Sequence, residues 1–191
     1  MTIIDKIYQD QLERLHRDGK FGNGRKAYRI VKSFMQEHNP SSVLDFGCGQ
    51  GGLIDVIKDL HPGIQAAGYD PGNPVFAKMP EQTFSAVIST DALEHVEPAH
   101  LAETLKIIGS KIQQYGFFRI ACYPAKKKLP DGRNAHLIVE LPAWWREQIL
   151  THMGVTIMAE EISVFDKSQK WNWVTGHVYD VTVKKARTFD R

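Results

Sequence analysis

Short apolar runs alternate with stretches of helical periodicity along most of the chain. The run 43–46 predicts a buried strand, because it is brief and apolar and glycines break it at once. The segment 53–60 then repeats apolar residues at helical spacing. Further apolar runs predict strands over 65–70, 84–89 and 117–123, and a helix over about 98–114. Strands that alternate with helices in this way are typical of a mostly parallel α/β sheet.

Two amphipathic helices are predicted before the first strand, over 3–17 and about 25–37, separated by a glycine-rich turn at 19–24. A different pattern follows the second strand, where only 13 residues separate Asp70 from Phe84 and three of them are prolines. This is too short for a helix and a full strand, and the prolines disfavour a helix further. We therefore expect a short edge strand at 75–78 and little else.

The C-terminal part predicts a helix followed by two strands. Pro142 suits the first turn of a helix that runs to about 153, where Gly154 ends it. Residues 155–165 and 171–184 alternate apolar and polar positions, which predicts two strands joined by a hairpin at 166–170. The sheet is therefore expected to end in an antiparallel pair.

The glycines after the first strand form the most informative motif. Gly47, Gly49 and Gly52 satisfy the dinucleotide pattern G-x-G-x-x-G, so glycine spacing alone leaves the ligand open. Asp45 discriminates between ligands, because a carboxylate beside the turn repels a pyrophosphate. S-adenosylmethionine carries a sulfonium and an ammonium but no phosphate, so an acid at this position suits it. The alternative is a glycine-rich turn in another kind of α/β protein.

Asp45, Gly47, Gly49 and Gly51 match the motif acid-x-Gly-x-Gly-x-Gly without a gap. In this the chain resembles the class I, Rossmann-like S-adenosylmethionine-dependent methyltransferases. The stretch 90–98 is also similar to the Leu-Glu-His-Val loop that follows strand four in many small-molecule methyltransferases. The two motifs together identify the family better than either alone.

The resemblance implies a fold and a domain organisation. We expect one methyltransferase domain over 1–191, in which 1–40 form a helical flap and 41–191 form a Rossmann-like core. The core should be a doubly wound, mostly parallel α/β sheet of seven strands in the order 3-2-1-4-5-7-6, here with a shortened third-strand region. Simple packing of the two N-terminal helices on the sheet is the alternative to a flap; Tyr8 and His16 are then packing residues, not substrate contacts.

The same resemblance implies which residues hold the cofactor, S-adenosylmethionine. The methionine end is assigned to the first motif, namely Asp45, Gly47, Cys48, Gly49 and Gly51.

Asp70 stands at the end of the second strand, at the spacing where an acid accepts hydrogen bonds from ribose hydroxyls. Pro71 is grouped with it. The alternative for Asp70 is a turn cap. Thr90 and Asp91 open the loop that lies next to the sulfonium in this fold, and the adenine candidates are Phe76, Lys78 and Met79.

Two histidines are candidates for the catalytic base. His95 has a side chain whose ordinary pKa suits proton transfer near neutrality, and Glu94 could orient it. His136 lies in the long segment 125–141, which leaves the fifth predicted strand and is placed to cover the acceptor. The alternative for each histidine is a structural role in holding its loop. A base is needed only where the acceptor must lose a proton.

The same segment contains candidates for binding the acceptor. Arg133, with the lysines at 126–128, could hold an anionic acceptor, and a solvated basic run is the alternative. Asn134 and Trp144 complete the proposed substrate-binding set.

Charge and missing motifs narrow the acceptor class. The formal net charge of +2 gives no overall electrostatic footprint for nucleic acid. Enzymes that methylate nucleic-acid amino groups carry Asn/Asp-Pro-Pro-aromatic after strand four, whereas 90–93 are Thr-Asp-Ala-Leu; cytosine C5 enzymes need Pro-Cys, which is also absent. We expect O- or N-methylation of a small-molecule, sugar or lipid-like acceptor. The alternatives are a non-catalytic S-adenosylmethionine-binding protein and a methyltransferase acting on a macromolecule.

The two cysteines suggest neither a disulfide scaffold nor a zinc site, so no metal ligand is predicted. No apolar run is long enough to cross a bilayer and 1–8 lack a signal-peptide pattern, so a cytoplasmic protein is expected. The sequence gives no indication of the oligomeric state.

Overall fold

The computed structural model describes residues 3–17, 24–166 and 175–186 and contains one sheet with helices on both faces. The helices of eight or more residues in the described part are α1 Lys6–Arg17, α2 Tyr28–His38, α3 Gly52–Leu60, α4 Leu101–Lys111 and α5 Pro142–His152. The strands are β1 Ser42–Phe46, β2 Gln65–Tyr69, β3 Phe84–Thr90, β4 Ile112–Cys122, β5 Val155–Asp166 and β6 Thr175–Lys185. Within these ranges, none of the helices combines the length and the apolarity needed to cross a membrane.

The six strands are ordered β2-β1-β3-β4-β6-β5. The pairs β1–β2, β1–β3 and β3–β4 are parallel, whereas β6 runs antiparallel to both β4 and β5. This is the predicted order with its third strand left out. The predicted class, a doubly wound and mostly parallel α/β sheet, is therefore confirmed.

The predicted short edge strand at 75–78 is wrong, and the described residues form a sheet of six strands where seven were expected. The chain between β2 and β3 folds back on itself: the Asp70 N–H donates to the Phe76 carbonyl (3.0 Å) and the Phe76 N–H to the Asn73 carbonyl (2.9 Å). Turn hydrogen bonds thus take the groups that a strand would offer to a neighbour. The prolines at 71, 74 and 80 lack an N–H and fix φ, so they favour this turn over a strand.

The largest other difference from the predicted boundaries, among the described residues, lies between α4 and β4. The helix expected over 98–114 ends as α4 at Lys111, and β4 begins at once with Ile112, five residues before the predicted start. Ile112 is buried and pairs with Phe84, so tertiary burial decides the change from helix to strand. The hairpin expected at 166–170 and the turn at 19–24 lie almost wholly outside the described residues.

Alternating side chains of the central strands supply two cores. On one face, Val43 of β1 packs in a cluster with residues of α2 and α3 such as Phe34 and Leu53. On the other face, Leu44 belongs to a cluster with residues of α4 and α5, among them Leu105 and Trp145. Burying each large apolar side chain contributes about 1.5–3 kcal/mol. This packing holds the carboxyl ends of β1, β2 and β3 in one place.

Candidate active site

A cavity of about 170 Å³ opens at the carboxyl ends of β1, β2 and β3. The chain leaves β1 to form β2 on one side and then β3 on the other, and ligands of open α/β sheets bind at such a switch point. The lining residues come from α1 and its N-terminal side (Ile3, Ile4, Tyr8, Leu12, His16) and from the sheet side (Phe46, Gly47, Gly49, Asp70, Pro71, Asp91, Ala92, His95, Val96, Glu97, Thr104).

The lining is acidic. Asp70, Asp91 and Glu97 contribute carboxylates, while no lysine or arginine occurs among the described residues that line the cavity. Such a lining favours a cationic ligand and offers no side-chain cation to a phosphate.

The glycine turn is shaped by close backbone contacts. Gly47 has a φ of 81°, and a Cβ on it would lie 2.4 Å from the Cβ of Ala92. Gly51 has a φ of 79°, and a Cβ there would lie 2.7 Å from the Phe76 ring. Both positions therefore need glycine for conformation and for space.

Backbone bonds fix the turn to the neighbouring strand. The N–H groups of Gly47 and Cys48 both donate to the Tyr69 carbonyl, at 2.8 and 3.1 Å. The Cys48 side chain is buried and lies against Gly68, where a Cβ would be 2.7 Å from its sulfur. The thiol therefore faces β2, so any ligand contact of Cys48 must come from its backbone.

Asp45 lies on β1 just before the turn and is only 3% exposed. Burial, with a smaller contribution from the charge of Asp70, raises the pKa of Asp45 to about 7. A cation bound near this carboxyl would favour its ionised form and lower its pKa.

Asp70 braces two turns at once. Its Oδ2 accepts the Gly49 N–H (2.8 Å), its Oδ1 accepts the Gly72 N–H (2.9 Å), and the His16 Nε2 lies 3.6 Å from Oδ1. A carboxylate has about four lone-pair sites, so these contacts leave capacity for further donors. Asp70 also lines the cavity, as does the adjacent Pro71. The position thus combines the turn-capping role with access to a ligand.

Helix α1 covers the cavity and bonds to both of its sides. The Tyr8 hydroxyl donates to the His95 carbonyl (2.8 Å), and the Gln9 amide donates to the Pro71 carbonyl (3.0 Å). The Gln50 amide in the glycine turn donates to the carbonyl of His16, near the helix end (2.9 Å).

The loop after β3 brings Asp91 and His95 to the cavity. Asp91 adopts a φ of 51°, a conformation that Asp tolerates better than most residues, and its N–H donates to the Arg119 carbonyl (3.0 Å). Thr90 ends β3 and pairs in register with Arg119 of β4. The sharp left-handed turn at Asp91 redirects the chain across the cavity.

His95 and His136 lie next to each other, with ring centroids 4.9 Å apart and edge to face. The His95 Nδ1 contacts the Ala135 carbonyl (2.7 Å), and the His136 Nδ1 contacts the Tyr123 carbonyl (2.5 Å). Burial lowers the pKa of His95 to about 4, with a further contribution from His136, and burial also lowers the pKa of His136. Burial therefore disfavours the charged form of both rings.

The three acceptor candidates occupy different places. Arg133 forms an ion pair with Asp131 (2.8 Å), and its guanidinium lies over the Tyr8 ring at 5.5 Å. The Asn134 side chain bonds to the Ala125 backbone at both its amide oxygen and nitrogen (2.8 and 2.9 Å), so it shapes the loop. Trp144 lines a second, separate depression near α4 and α5.

Sequence reasoning missed several residues that build the site. The Asn73 amide donates to the Gly49 carbonyl (2.7 Å) and so joins the glycine turn to the turn after β2. The turn-forming sequence at 70–73 was the available signal. Ala92 packs against Gly47, and Ile4 and Leu12 line the cavity; these apolar residues carry no chemical signature in the sequence.

A family model described as "Methyltransferase domain" matches residues 13–156, about three quarters of the chain. A search of curated proteins with this chain found no match.

Several solved structures share its fold at low identity. The 1,6-didemethyltoxoflavin-N1-methyltransferase of Burkholderia thailandensis, crystallised with bound 1,6-didemethyltoxoflavin and S-adenosylhomocysteine, has a TM-score of 0.64 and 16% identity, over 95% of this chain and 88% of that one. The magnesium protoporphyrin IX methyltransferase of Synechocystis PCC 6803 with S-adenosylhomocysteine has a TM-score of 0.57 and 13% identity, over 96% and 89%. Coclaurine N-methyltransferase has a TM-score of 0.59 and 11% identity, over 82% and 70%.

At these identities the structures support the fold, while the family match supports the activity class. The resemblance drawn from the two sequence motifs is thereby confirmed: the chain belongs to the methyltransferase domain family, as a class I S-adenosylmethionine-dependent methyltransferase.

Proposed function

We propose that the cavity binds S-adenosylmethionine and that the protein transfers its methyl group to oxygen or nitrogen of a small-molecule, sugar or lipid-like acceptor. The observation that carries the proposal is the charge of the cavity. Its described lining holds three carboxylates and no lysine or arginine, at the switch point of the sheet. A nucleoside with a sulfonium and an ammonium fits this lining, whereas a pyrophosphate would meet carboxylates.

The cofactor positions follow from the glycine turn. Gly47, Gly49 and Gly51, with the backbone of Cys48, would hold the methionine end, because their positive φ values shape a turn whose residues Gly47 and Gly49 line the cavity. Asp45 would neutralise the ammonium.

Asp70 would accept the ribose hydroxyls, with Pro71 beside it, because its carboxylate lines the cavity and retains acceptor capacity. Thr90 and Asp91 would lie next to the sulfonium. Phe76 lies against Gly51, which supports it as one wall for the adenine.

Methyl transfer is an in-line displacement. The bond between sulfur and methyl breaks as the bond from acceptor to methyl forms, and the electron pair returns to sulfur to give S-adenosylhomocysteine. Holding the acceptor opposite the sulfur can supply about 7–11 kcal/mol of the barrier. A hydroxyl acceptor must also lose its proton, whereas a neutral amine can attack directly.

His95 and His136 stay the catalytic candidates. Their lowered pKa values favour the neutral ring, which can accept a proton, but they also make each ring a weaker base than an ordinary histidine. We therefore propose them as residues that contact or activate the acceptor rather than as strong free bases.

Of the acceptor-binding candidates, Arg133 has the best support, because it lies over Tyr8, which lines the cavity. Asn134 is proposed to act through the loop that it holds together. Trp144 stays a prediction.

Residues 1–40 are proposed as a flap over the core at 41–191, because α1 bonds to the loops after β2 and β3 across the cavity. Such a flap would exclude water once the cofactor is bound. The cytoplasmic location also stays a prediction.

The proposal can be tested by calorimetry followed by a transfer screen. S-adenosylmethionine and S-adenosylhomocysteine should each bind one per chain, and NAD⁺ should not bind. A screen with methyl-labelled donor against hydroxyl and amine acceptors should then give labelled product. Preferential binding of NAD⁺ would contradict the cofactor proposal. Tight donor binding without transfer to any acceptor would instead favour the non-catalytic alternative, and transfer only to protein or RNA would favour a macromolecular acceptor.

A further inference from the structure

Three potential metal ligands converge beside the cavity. Glu94 and His95 come from the loop after β3, and His136 comes from the loop after β4. One donor atom from each lies within 4.8 Å of the others. His95 lines the cavity, so the cluster borders the space where the acceptor would bind.

Backbone contacts fix the tautomer of both imidazoles. A carbonyl oxygen can only accept, so the Nδ1 of His95 must donate to Ala135 and the Nδ1 of His136 must donate to Tyr123. In a neutral ring the lone pair then lies on Nε2. Metal-binding histidines are commonly held by such a bond from the other ring nitrogen. The loops therefore preset both rings as ligands.

Glu94 completes the set with a buried carboxyl. The residue is 0% exposed, its Oε1 accepts the Ala121 N–H (3.3 Å), and the same oxygen lies 4.0 Å from the Nε2 of His136. Its Oε2 is buried and has no hydrogen-bond partner among the residues that the structure describes. The Glu94 Oε1 and the His136 Nε2, both hydrogen-bond acceptors, thus face each other. A buried carboxylate in such a place needs a compensating cation or proton.

We propose that Glu94, His95 and His136 bind a divalent transition-metal ion at the edge of the cofactor cavity. Two imidazoles and one carboxylate favour ions such as Zn²⁺, Co²⁺ or Fe²⁺ over Mg²⁺ or Ca²⁺, which prefer oxygen ligands. Three protein ligands leave coordination positions open, as in catalytic metal sites.

The ion would select an acceptor with an oxygen donor, an inference that rests on the proposed function. A hydroxyl coordinated to the metal has a lowered pKa. Its proton would pass to solvent water, its oxygen would form the bond to the methyl carbon, and the sulfur would keep the electron pair of the broken bond. This site was not predicted from the sequence, because its ligands are neither cysteines nor regularly spaced.

A second group of potential ligands provides a control. Asp5, Glu97 and His100 also lie close together, but the group is more exposed. The His100 Nε2 already contacts the Asp5 Oδ1 (2.9 Å), and the Glu97 Oε2 accepts the Asp5 N–H (2.8 Å). His100→Gln should therefore leave metal binding at Glu94 unchanged.

The test is a titration of the full chain with metal alone. After chelator treatment and desalting, Co²⁺ is added and followed by calorimetry and visible absorption, with Mg²⁺ as a second titrant. We expect one Co²⁺ per chain and much weaker Mg²⁺ binding. Glu94→Gln and His136→Gln should weaken Co²⁺ binding by at least about 100-fold, since even loss of an outer-shell partner weakens it 10–100-fold. His100→Gln should match the wild type.

Three results would each overturn the site. They are a wild type that binds no Co²⁺, Glu94→Gln and His136→Gln variants that bind Co²⁺ as tightly as the wild type, and a His100→Gln variant that loses Co²⁺ binding. Melting temperature checks that each variant folds. Pulsed electron paramagnetic resonance of the Cu²⁺-loaded wild type needs no variant: two coordinated imidazoles are expected, and none would overturn the proposal. S-adenosylhomocysteine is titrated separately into metal-free protein. If S-adenosylhomocysteine binds and Co²⁺ does not, only the metal site is refuted. If Co²⁺ binds and S-adenosylhomocysteine does not, only the proposed function is refuted.

Discussion

The two sides of the cavity are built in different ways. On the cofactor side, the backbone of the glycine turn forms part of the surface and leaves no room for a side chain, as where Gly47 packs against Ala92 and donates to Tyr69. On the proposed acceptor side, side chains from α1, from the loop after β3 and from the loop after β4 meet across long sequence separations, as in the bond from Tyr8 to the His95 carbonyl.

This difference indicates which side of the cavity tolerates substitution and which does not. A surface made by backbone requires glycine at set positions, so a single added methyl group disturbs it. A surface made by side chains on loops can change its shape and its acceptor without disturbing the sheet. Substitutions on the cofactor side should therefore have larger effects on stability and cofactor affinity than substitutions on the acceptor side.

The largest effect is expected for Gly47→Ala. Its Cβ would lie 2.4 Å from the Ala92 Cβ at a φ of 81°, so clash and strain together should lower the free energy of unfolding by about 3 kcal/mol. Affinity for S-adenosylhomocysteine should fall by about 100-fold. Thermal denaturation and calorimetry measure both quantities.

Two glycines serve as controls for this substitution. A Cβ on Gly63 meets no atom within 4 Å, so Gly63→Ala should change stability by less than about 0.5 kcal/mol. Gly132, in the loop after β4, has a φ of 89° and equally open space, so its alanine variant measures the cost of conformation alone, about 1 kcal/mol, with unchanged cofactor affinity. A Gly47→Ala protein that binds like the wild type would refute the backbone-built cofactor side.

The second effect concerns Asp70→Ala, which should weaken S-adenosylmethionine binding by at least about tenfold through loss of charge-assisted hydrogen bonds. Asp59→Ala is the matched control, because Asp59 is largely exposed at the far end of α3. Calorimetry of both variants decides the question. Affinity unchanged in Asp70→Ala would remove the ribose assignment.

The third effect is a pH dependence set by Asp45. Its pKa of about 7 in the free protein should fall when a cation binds, so binding releases a proton. Affinity for S-adenosylhomocysteine should then rise by up to about tenfold per pH unit below 7 and level off above it. Calorimetry in buffers of different ionisation enthalpy measures the proton release directly.

Stability should move in the opposite direction. Because the folded-state pKa lies above the ordinary value of 3.8, the folded protein holds more protons between about pH 4 and 7, and this group's contribution falls as pH rises. Asp45→Asn should remove both dependences and be the more stable protein at pH 8. If affinity and stability depend on pH in the same way in the wild type and in Asp45→Asn, the charge of Asp45 is not coupled to ligand binding.

The smallest effect tests the acceptor side. Tyr8→Phe deletes the hydroxyl that bonds to the His95 carbonyl, a loss of about 1 kcal/mol, so S-adenosylhomocysteine should dissociate about fivefold faster. Tyr28→Phe removes a comparable bond, to His61, away from the cavity and is the control. Stopped-flow dissociation rates compare them. A rate unchanged in Tyr8→Phe would argue that α1 does not act as a flap.

The contrast also explains what could be predicted from the sequence. The positions of the strands and of the cofactor turn followed from contiguous patterns, because a strand, a glycine turn and a helix are local features. The order of the strands in the sheet was implied by the resemblance to methyltransferases. The absence of a third strand depended on how 70–76 fold back through hydrogen bonds, which composition only suggested. The neighbourhood of Glu94 and His136 depends on two loops 42 residues apart in the chain meeting in space, and no local pattern encodes such a contact.

The most direct test of the central claim is a crystal structure of the protein with S-adenosylhomocysteine. We predict density at the carboxyl ends of β1 and β2, with the ribose hydroxyls on Asp70 and the methionine ammonium at the glycine turn near Asp45. A turn that stays empty at saturating ligand, or that binds a nicotinamide coenzyme in its place, would contradict the account.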